Sequence, residues 1–141
     1  MNLHLEVITP EKIIYESEAD EIIAPTVNGQ IGIFPNHIGL LTKIVPGELI
    51  IRKGNNQYLL AITGGFLEVN NNNVSILADY AIKAEDVEIA RAQEAQKRAE
   101  KLMQEKTTEK DFKVAQAELI KAVLELRVAS KIKKRPTTPQ S

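Results

Sequence analysis

The chain has 141 residues, of which 43% are hydrophobic and 26% charged, with a formal net charge of −1. This is ordinary globular composition, and it lacks the excess positive charge that would draw a protein to nucleic acid or to an anionic membrane. There is no cysteine, which excludes disulfides, thiol catalysis and cysteine-ligated metals.

The opening stretch, Met1 to Lys12, has neither a basic n-region nor a continuous apolar run, so no secretory signal or Arg/Ser-rich transit peptide is expected. No later segment approaches the ~20 apolar residues that span a bilayer. Any membrane association is therefore expected to come through a partner.

Leu3, Leu5 and Val7 alternate with His4, Glu6 and Ile8, the period of two that marks a half-buried strand. After Pro10, the stretches Lys12 to Ser17 and Glu21 to Ala24 read as further strands. Asn28-Gly29 is the strongest turn signal in the chain, and Pro35-Asn36 and Pro46-Gly47 mark two more bends. Glu48 to Arg52, Tyr58 to Thr63, Phe66 to Val69 and Val74 to Ala78 continue the series. Lys53 to Asn56 and Asn70 to Asn73 supply hairpin turns. Strands at this spacing predict a sandwich or barrel, and about 80 residues are enough for a small two-layer core.

The character changes near Ala84. Glycine disappears, proline returns only at Pro136, and Ala, Glu, Lys and Gln dominate. Glu85 and Asp86 suit a helix N-terminus. Ala92, Ala95, Ala99 and Leu102 lie on one helical face, with Glu88–Arg91 and Glu94–Arg98 as favourable pairs on the other. Thr108 and Asp111 fit a capping box, so a second helix is expected from there to about Lys133, with Phe112, Ala115, Leu119, Ala122 and Leu126 as its seam. Val114, Ala117, Ile120, Leu124 and Val128 fall off that seam, and a helix apolar on more than one side needs a second partner. The fold class expected is thus mixed but segregated: a β-sandwich over 1–84, an antiparallel two-helix hairpin over 85–135, and a disordered tail over 136–141.

The residues offer little catalytic chemistry. The only histidines, His4 and His37, have neither ligand spacing nor a nucleophile beside them. Gly64-Gly65 has no phosphate-loop fingerprint around it and reads as a bulge or tight bend. The low aromatic content argues against a stacking platform for single-stranded nucleic acid. An interaction protein remains, without a metal or cofactor.

Three segments carry a family resemblance: QIGIFPNHIGLL from Gln30 to Leu41, TGGFLEVNNNNVSIL from Thr63 to Leu77, and ADYA from Ala78 to Ala81. With the Ala/Glu-rich hairpin that follows, the sequence resembles the epsilon subunits of bacterial and plastid F-type ATP synthases, whose mitochondrial counterpart is called delta. The resemblance runs from Leu3 to about Lys133. It implies a non-catalytic central-stalk subunit whose sandwich binds the gamma subunit and the c-ring, with Gln30, Ile31, Gly32 and His37 in the contact turn.

The resemblance also implies a hairpin that can fold on the sandwich or extend into the alpha/beta head and inhibit ATP hydrolysis. The basic end Lys131, Lys133, Lys134 and Arg135 would then meet acidic residues there. ATP is a regulatory ligand in some relatives through a motif that Glu88, Arg91 and Arg98 match in part. Here Lys121 and Glu125 stand where those relatives carry arginines, so weak or absent binding is expected. The implied location is peripheral, on the cytoplasmic face of a bacterial plasma membrane or the stromal face of a thylakoid. The alternative is a generic β-sandwich binding module whose hairpin dimerises.

Overall fold

A computed structural model describes residues 2–133. The chain divides into two compact units, Met1–Lys83 and Ala84–Ser141.

The first unit is built of ten strands: β1 (Leu3–Ile8), β2 (Ile13–Ala19), β3 (Glu21–Thr26), β4 (Gly29–Ile33), β5 (Leu40–Ile44), β6 (Gly47–Lys53), β7 (Asn56–Ile62), β8 (Gly65–Asn70), β9 (Asn73–Ala78) and β10 (Ala81–Lys83). They run in the order β10-β7-β6-β3-β5-β8-β9-β1-β2, with β4 added on β3. Among the described strands every ladder is antiparallel except β1 with β9, which is parallel.

The sheet turns over at β3 and β5 and encloses a single core. Alternate residues of nearly every strand enter it: Leu3, Leu5 and Val7 from β1, Ile22 and Ala24 from β3, Leu49 and Ile51 from β6, Leu67 and Val69 from β8, Val74 and Ile76 from β9. At the turnover only Thr26 pairs directly with Ile44, flanked by bonds from Val27 N–H to the Lys43 carbonyl and from Val45 N–H to the Pro25 carbonyl. Thr26 is the one buried polar side chain among the described residues. Its hydroxyl donates to the Gly29 carbonyl at 2.7 Å and accepts from Asn28 N–H at 3.2 Å, so its burial costs no hydrogen bond.

The alternation in β1 and the turn at Asn28-Gly29 are as the sequence predicts. Two strands are not. Gln30, Ile31 and Gly32, expected in a turn, lie in β4, and β5 forms over residues with no strong strand signal. Both are short: β4 is the second arm of the hairpin that the Asn28-Gly29 turn forms with β3, and β5 is held along the sequence-distant β8.

Gly64-Gly65 is a close approach of backbones. Both residues have φ in the region that favours glycine, 147° and 141°. A Cβ on Gly65 would overlap the Leu77 carbonyl oxygen and stand 2.9 Å from Ala78 Cα.

The second unit begins with a 3-10 turn (Ala84–Asp86), followed by α1 (Ile89–Gln104) and α2 (Glu109–Lys133), which pack together. Glu85 and Asp86 sit in the 3-10 turn and not in the first turn of α1, whose N-cap is Glu88. The capping expectation for α2 holds in part. Thr108 Oγ1 accepts from Asp111 N–H at 3.1 Å, but the Asp111 carboxylate takes a bond from the Thr107 hydroxyl at 3.4 Å. The expected tail over 136–141 lies outside the described residues.

Gly65→Ala is expected to destabilise the chain by about 3 kcal/mol, because neither neighbouring strand can move without breaking its ladder. Gly54→Ala, at a φ of 60° with nothing within 4 Å of the added Cβ, should cost only about 1 kcal/mol. Urea unfolding of the two variants checks the difference.

Candidate functional site

Register decides what the first unit shows to the outside. Across β5, β8, β9, β1 and β2 the outward residues form three rows. Lys43, Phe66, Leu77, Ile8 and Ile13 make the first, and Leu41, Glu68, Ser75, Glu6 and Glu16 the second. Asn70, Asn73, His4 and Glu18 make the third. The first row is apolar but for Lys43, with Phe66, Leu77 and Ile13 all more than half exposed. Leu41, 70% exposed, extends it. The other two rows carry four glutamates and one histidine. Exposed apolar side chains grouped in this way mark a docking surface more often than singletons do.

In the third row His4 is gripped by two carboxylates. Its Nδ1 lies 2.8 Å from Glu18 Oε2 and its Nε2 3.0 Å from Glu16 Oε2. Only the imidazolium can donate to both. The bond to Glu18 is the main cause that raises the His4 pKa above its ordinary value. Desolvation opposes it as the next largest effect, and the bond to Glu16 and the charges of both carboxylates add to the rise.

Beside this face lies the loop 34–39. His37 N–H donates to the Phe34 carbonyl at 3.2 Å, closing a turn with Pro35 second and Asn36, at φ 67°, third. That is the geometry of a type II turn. The loop displays Phe34 and Ile38, the latter 81% exposed. The His37 Nδ1 stands 2.7 Å from the Ile38 carbonyl oxygen, which requires the ring proton on Nδ1. Of the other residues singled out in the sequence, Gln30 and Gly32 are exposed on β4, while Ile31 packs against the core. β4 pairs only with β3 among the described strands.

In the second unit the buried residues of the helices are mostly alanine at sevenfold spacing: Ala92 and Ala99 on α1, Ala115, Ala122 and Ala129 on α2. Such short side chains let two helices approach closely. The predicted seam of α2 needs correction. Phe112 is exposed, whereas Leu124 and Val128, placed off the seam, are buried. Two overlapping stripes blur the helical period, so periodicity alone chose the wrong members. Glu88 and Arg91 form an ion pair of 3.7 Å at exposures of 71% and 80%. Arg98 and Lys131 are exposed too. Lys133 ends α2, and Lys134 and Arg135 lie outside the described residues.

A family model described as ATP synthase, Delta/Epsilon chain, beta-sandwich domain matches residues 2–84, and a second, for the long alpha-helix domain of the same chain, matches residues 85–130. The chain belongs to the ATP synthase delta/epsilon family.

It is similar to proteins named ATP synthase epsilon chain throughout its length. That of Dehalococcoides mccartyi is 40% identical over 95% of this chain and 96% of its own. That of Caldanaerobacter subterraneus is 43% identical over 91% and 94%, and that of Nitrosomonas europaea 39% over 94% and 95%. Two solved structures share the fold at 20% identity. They come from the Euglena gracilis mitochondrial ATP synthase, titled OSCP/F1/c-ring, with a TM-score of 0.65 over 94% of this chain and 79% of that one, and from the central stalk/c-ring of the Tetrahymena thermophila enzyme, with a TM-score of 0.57 over 92% and 97%.

Family membership makes this a non-catalytic stalk chain of the synthase. No helix among the described residues is long and apolar enough to cross a membrane. The apolar row of Phe66, Leu77, Ile8 and Ile13 was missed in the sequence, where each strand shows only its own alternation. Its signal was Phe66 and Leu77 standing at the polar phase of otherwise regular strands.

His4 binds its proton more tightly when folded, so its contribution to stability is fully present below the ordinary histidine pKa and is lost as pH rises through the raised value. His4→Gln should therefore lower the melting temperature by a few degrees at most near pH about 5.5, and by progressively less in alkaline buffer. Thermal melts of both chains across that range check it.

Proposed function

We propose that the chain couples the rotor of a proton-translocating F-type ATP synthase to its catalytic head. In this reading the sandwich docks on the gamma subunit and the c-ring, and the helical hairpin acts as a brake on ATP hydrolysis. The observation that carries it is the three-row outer face, an apolar strip beside an acidic one, next to a loop that presents Phe34 and Ile38. Gln30 and Gly32 on β4, with His37 in the loop, are the contact residues in this reading. Ile31 supports them from the core.

The brake draws on the second unit. A helix pair whose buried residues are alanines but for Leu124 and Val128 gains on the order of 1 kcal/mol or less from each alanine, so the folded hairpin is held more weakly than one packed through large side chains. A weakly held two-state element is one that a partner can shift. The basic end formed by Lys131, Lys133, Lys134 and Arg135 suits acidic residues on the beta subunit. Membrane association is indirect, through the complex, on the cytoplasmic face of a bacterial plasma membrane or the stromal face of a thylakoid. Family membership favours this reading over a free module whose hairpin dimerises.

ATP is not expected to be a tight ligand. Arg91 is engaged by Glu88, and Glu125 adds negative charge to the second helix. Isothermal calorimetry should give a dissociation constant above about 1 mM, consistent with Lys121 offering a point charge where a guanidinium fork would grip phosphate; tighter binding would contradict it.

The deciding experiment measures ATP hydrolysis by a purified alpha-beta-gamma head, alone, with the full chain, and with a chain ending at Ala84. The full chain should inhibit several-fold. The shortened chain should still bind gamma without inhibiting. Equal inhibition by both would remove the hairpin from the mechanism, and failure of both to bind gamma would overturn the docking.

A further inference from the structure

The loop 34–39 is tethered from outside itself by one side chain. Asn72 lies in the two-residue turn between β8 and β9, where Asn71 and Asn72 both have positive φ, 50° and 65°. Its Oδ1 accepts the backbone N–H of Asn36 at 2.6 Å, and its Nδ2 donates to Asn36 Oδ1 at 3.5 Å. Its own carbonyl accepts from His4 N–H at 2.8 Å. One residue therefore ties together the start of β1, the β8–β9 turn and the third position of the Phe34–His37 turn.

The Asn36 amide is the group that most needs such a partner. In a type II turn the N–H of the third residue points away from the turn and has no acceptor within it. The only bond within the turn is that of His37 to Phe34. Without the Asn72 carboxamide the loop would be fixed at its two ends, by β4 and β5, while its exposed Phe34 and Ile38 and half-buried His37 could take other positions.

We propose that Asn72 is a positioning residue for docking: it does not touch the partner, but holds the 34–39 loop in the one conformation that does. The proposal rests on the reading that this loop contacts the rotor. A loop that is in its docking conformation only part of the time binds with an affinity reduced by that fraction. Loss of one short hydrogen bond of this kind should lower affinity about tenfold.

Two variants separate positioning from folding. Asn72→Gly accepts positive φ without strain and removes the acceptor. Asn72→Asp also tolerates this backbone and keeps an acceptor oxygen for the Asn36 amide. The full chain and both variants are titrated onto the purified gamma–c-ring rotor, and amide hydrogen exchange is recorded on each free chain. Asn72→Gly should bind about tenfold more weakly, with faster exchange at Asn36 and a single melting transition lowered by only a few degrees, and Asn72→Asp should restore both binding and protection.

If the unsubstituted chain binds and Asn72→Gly binds equally well, the inference is overturned while the docking reading stands. If Asn72→Asp is as weak as Asn72→Gly, the acceptor is not what matters, and the inference also fails. An unsubstituted chain that does not bind the rotor at all overturns the docking reading, and the inference with it.

Discussion

The contact between the backbone of Gly65 and the strand beside it sets the frame for the first unit. β8 lies between β5 and β9, with Ile44 opposite Gly65 on one side and Ala78 on the other. Any side chain at this point would push β9 away. β9 carries β1, which carries β2, and β5 carries the link to the second layer. A shift of register at β8 would therefore pass through five strands. Because side chains alternate with a period of two, a slip of one residue would turn Leu67 and Val69 outward and Phe66 and Glu68 into the core. The rows of the outer face are thus fixed by the same contact that fixes the core.

The two faces of the layer answer to different demands. Inside, aliphatic side chains are buried completely and need only volume and shape. Outside, each row combines residues from four or five strands, several of them far apart in sequence, and its chemistry exists only once they are aligned. His4 shows this most directly. Its partners Glu16 and Glu18 are neighbours in register, and the doubly bonded imidazolium arises from the antiparallel pairing of β1 with β2.

This is also why some features were legible in the sequence and others were not. The alternation of Leu3, Leu5 and Val7, the Asn28-Gly29 turn and the Thr108 cap are local, and local rules found them. The change of unit near Ala84 shows in composition alone. Strand β5 has no such signature, since LLTKI becomes a strand through the distant β8, and GQIGI in β4 has only the turn before it to announce its pairing with β3. The contact residues of the resemblance were placed in a turn for that reason, when three of them lie on a strand. The seam of α2 was misjudged at Phe112, Leu124 and Val128, because two apolar stripes on one helix cannot be separated by counting residues. The Asn36–Asn72 tie joins residues thirty-six positions apart and has no sequence signal at all.

The parallel pairing of β1 with β9 has a consequence for how the chain comes to be folded. Residues 4–8 must meet residues 73–77, so closing this ladder requires nearly the whole first unit to be brought together first. Contacts of such wide separation are slow to form, because the entropy of a long loop is lost before the ladder gives anything back. During synthesis from the N-terminus, the first strand made is among the last to find both neighbours, and until then it has only β2 for company. The helical hairpin has no such wait, for its two halves are joined by a few residues and can pair as soon as both have emerged. The two units therefore mature by different routes: the one that reads last in the sequence assembles from near contacts, and the one that reads first must wait for its own far end.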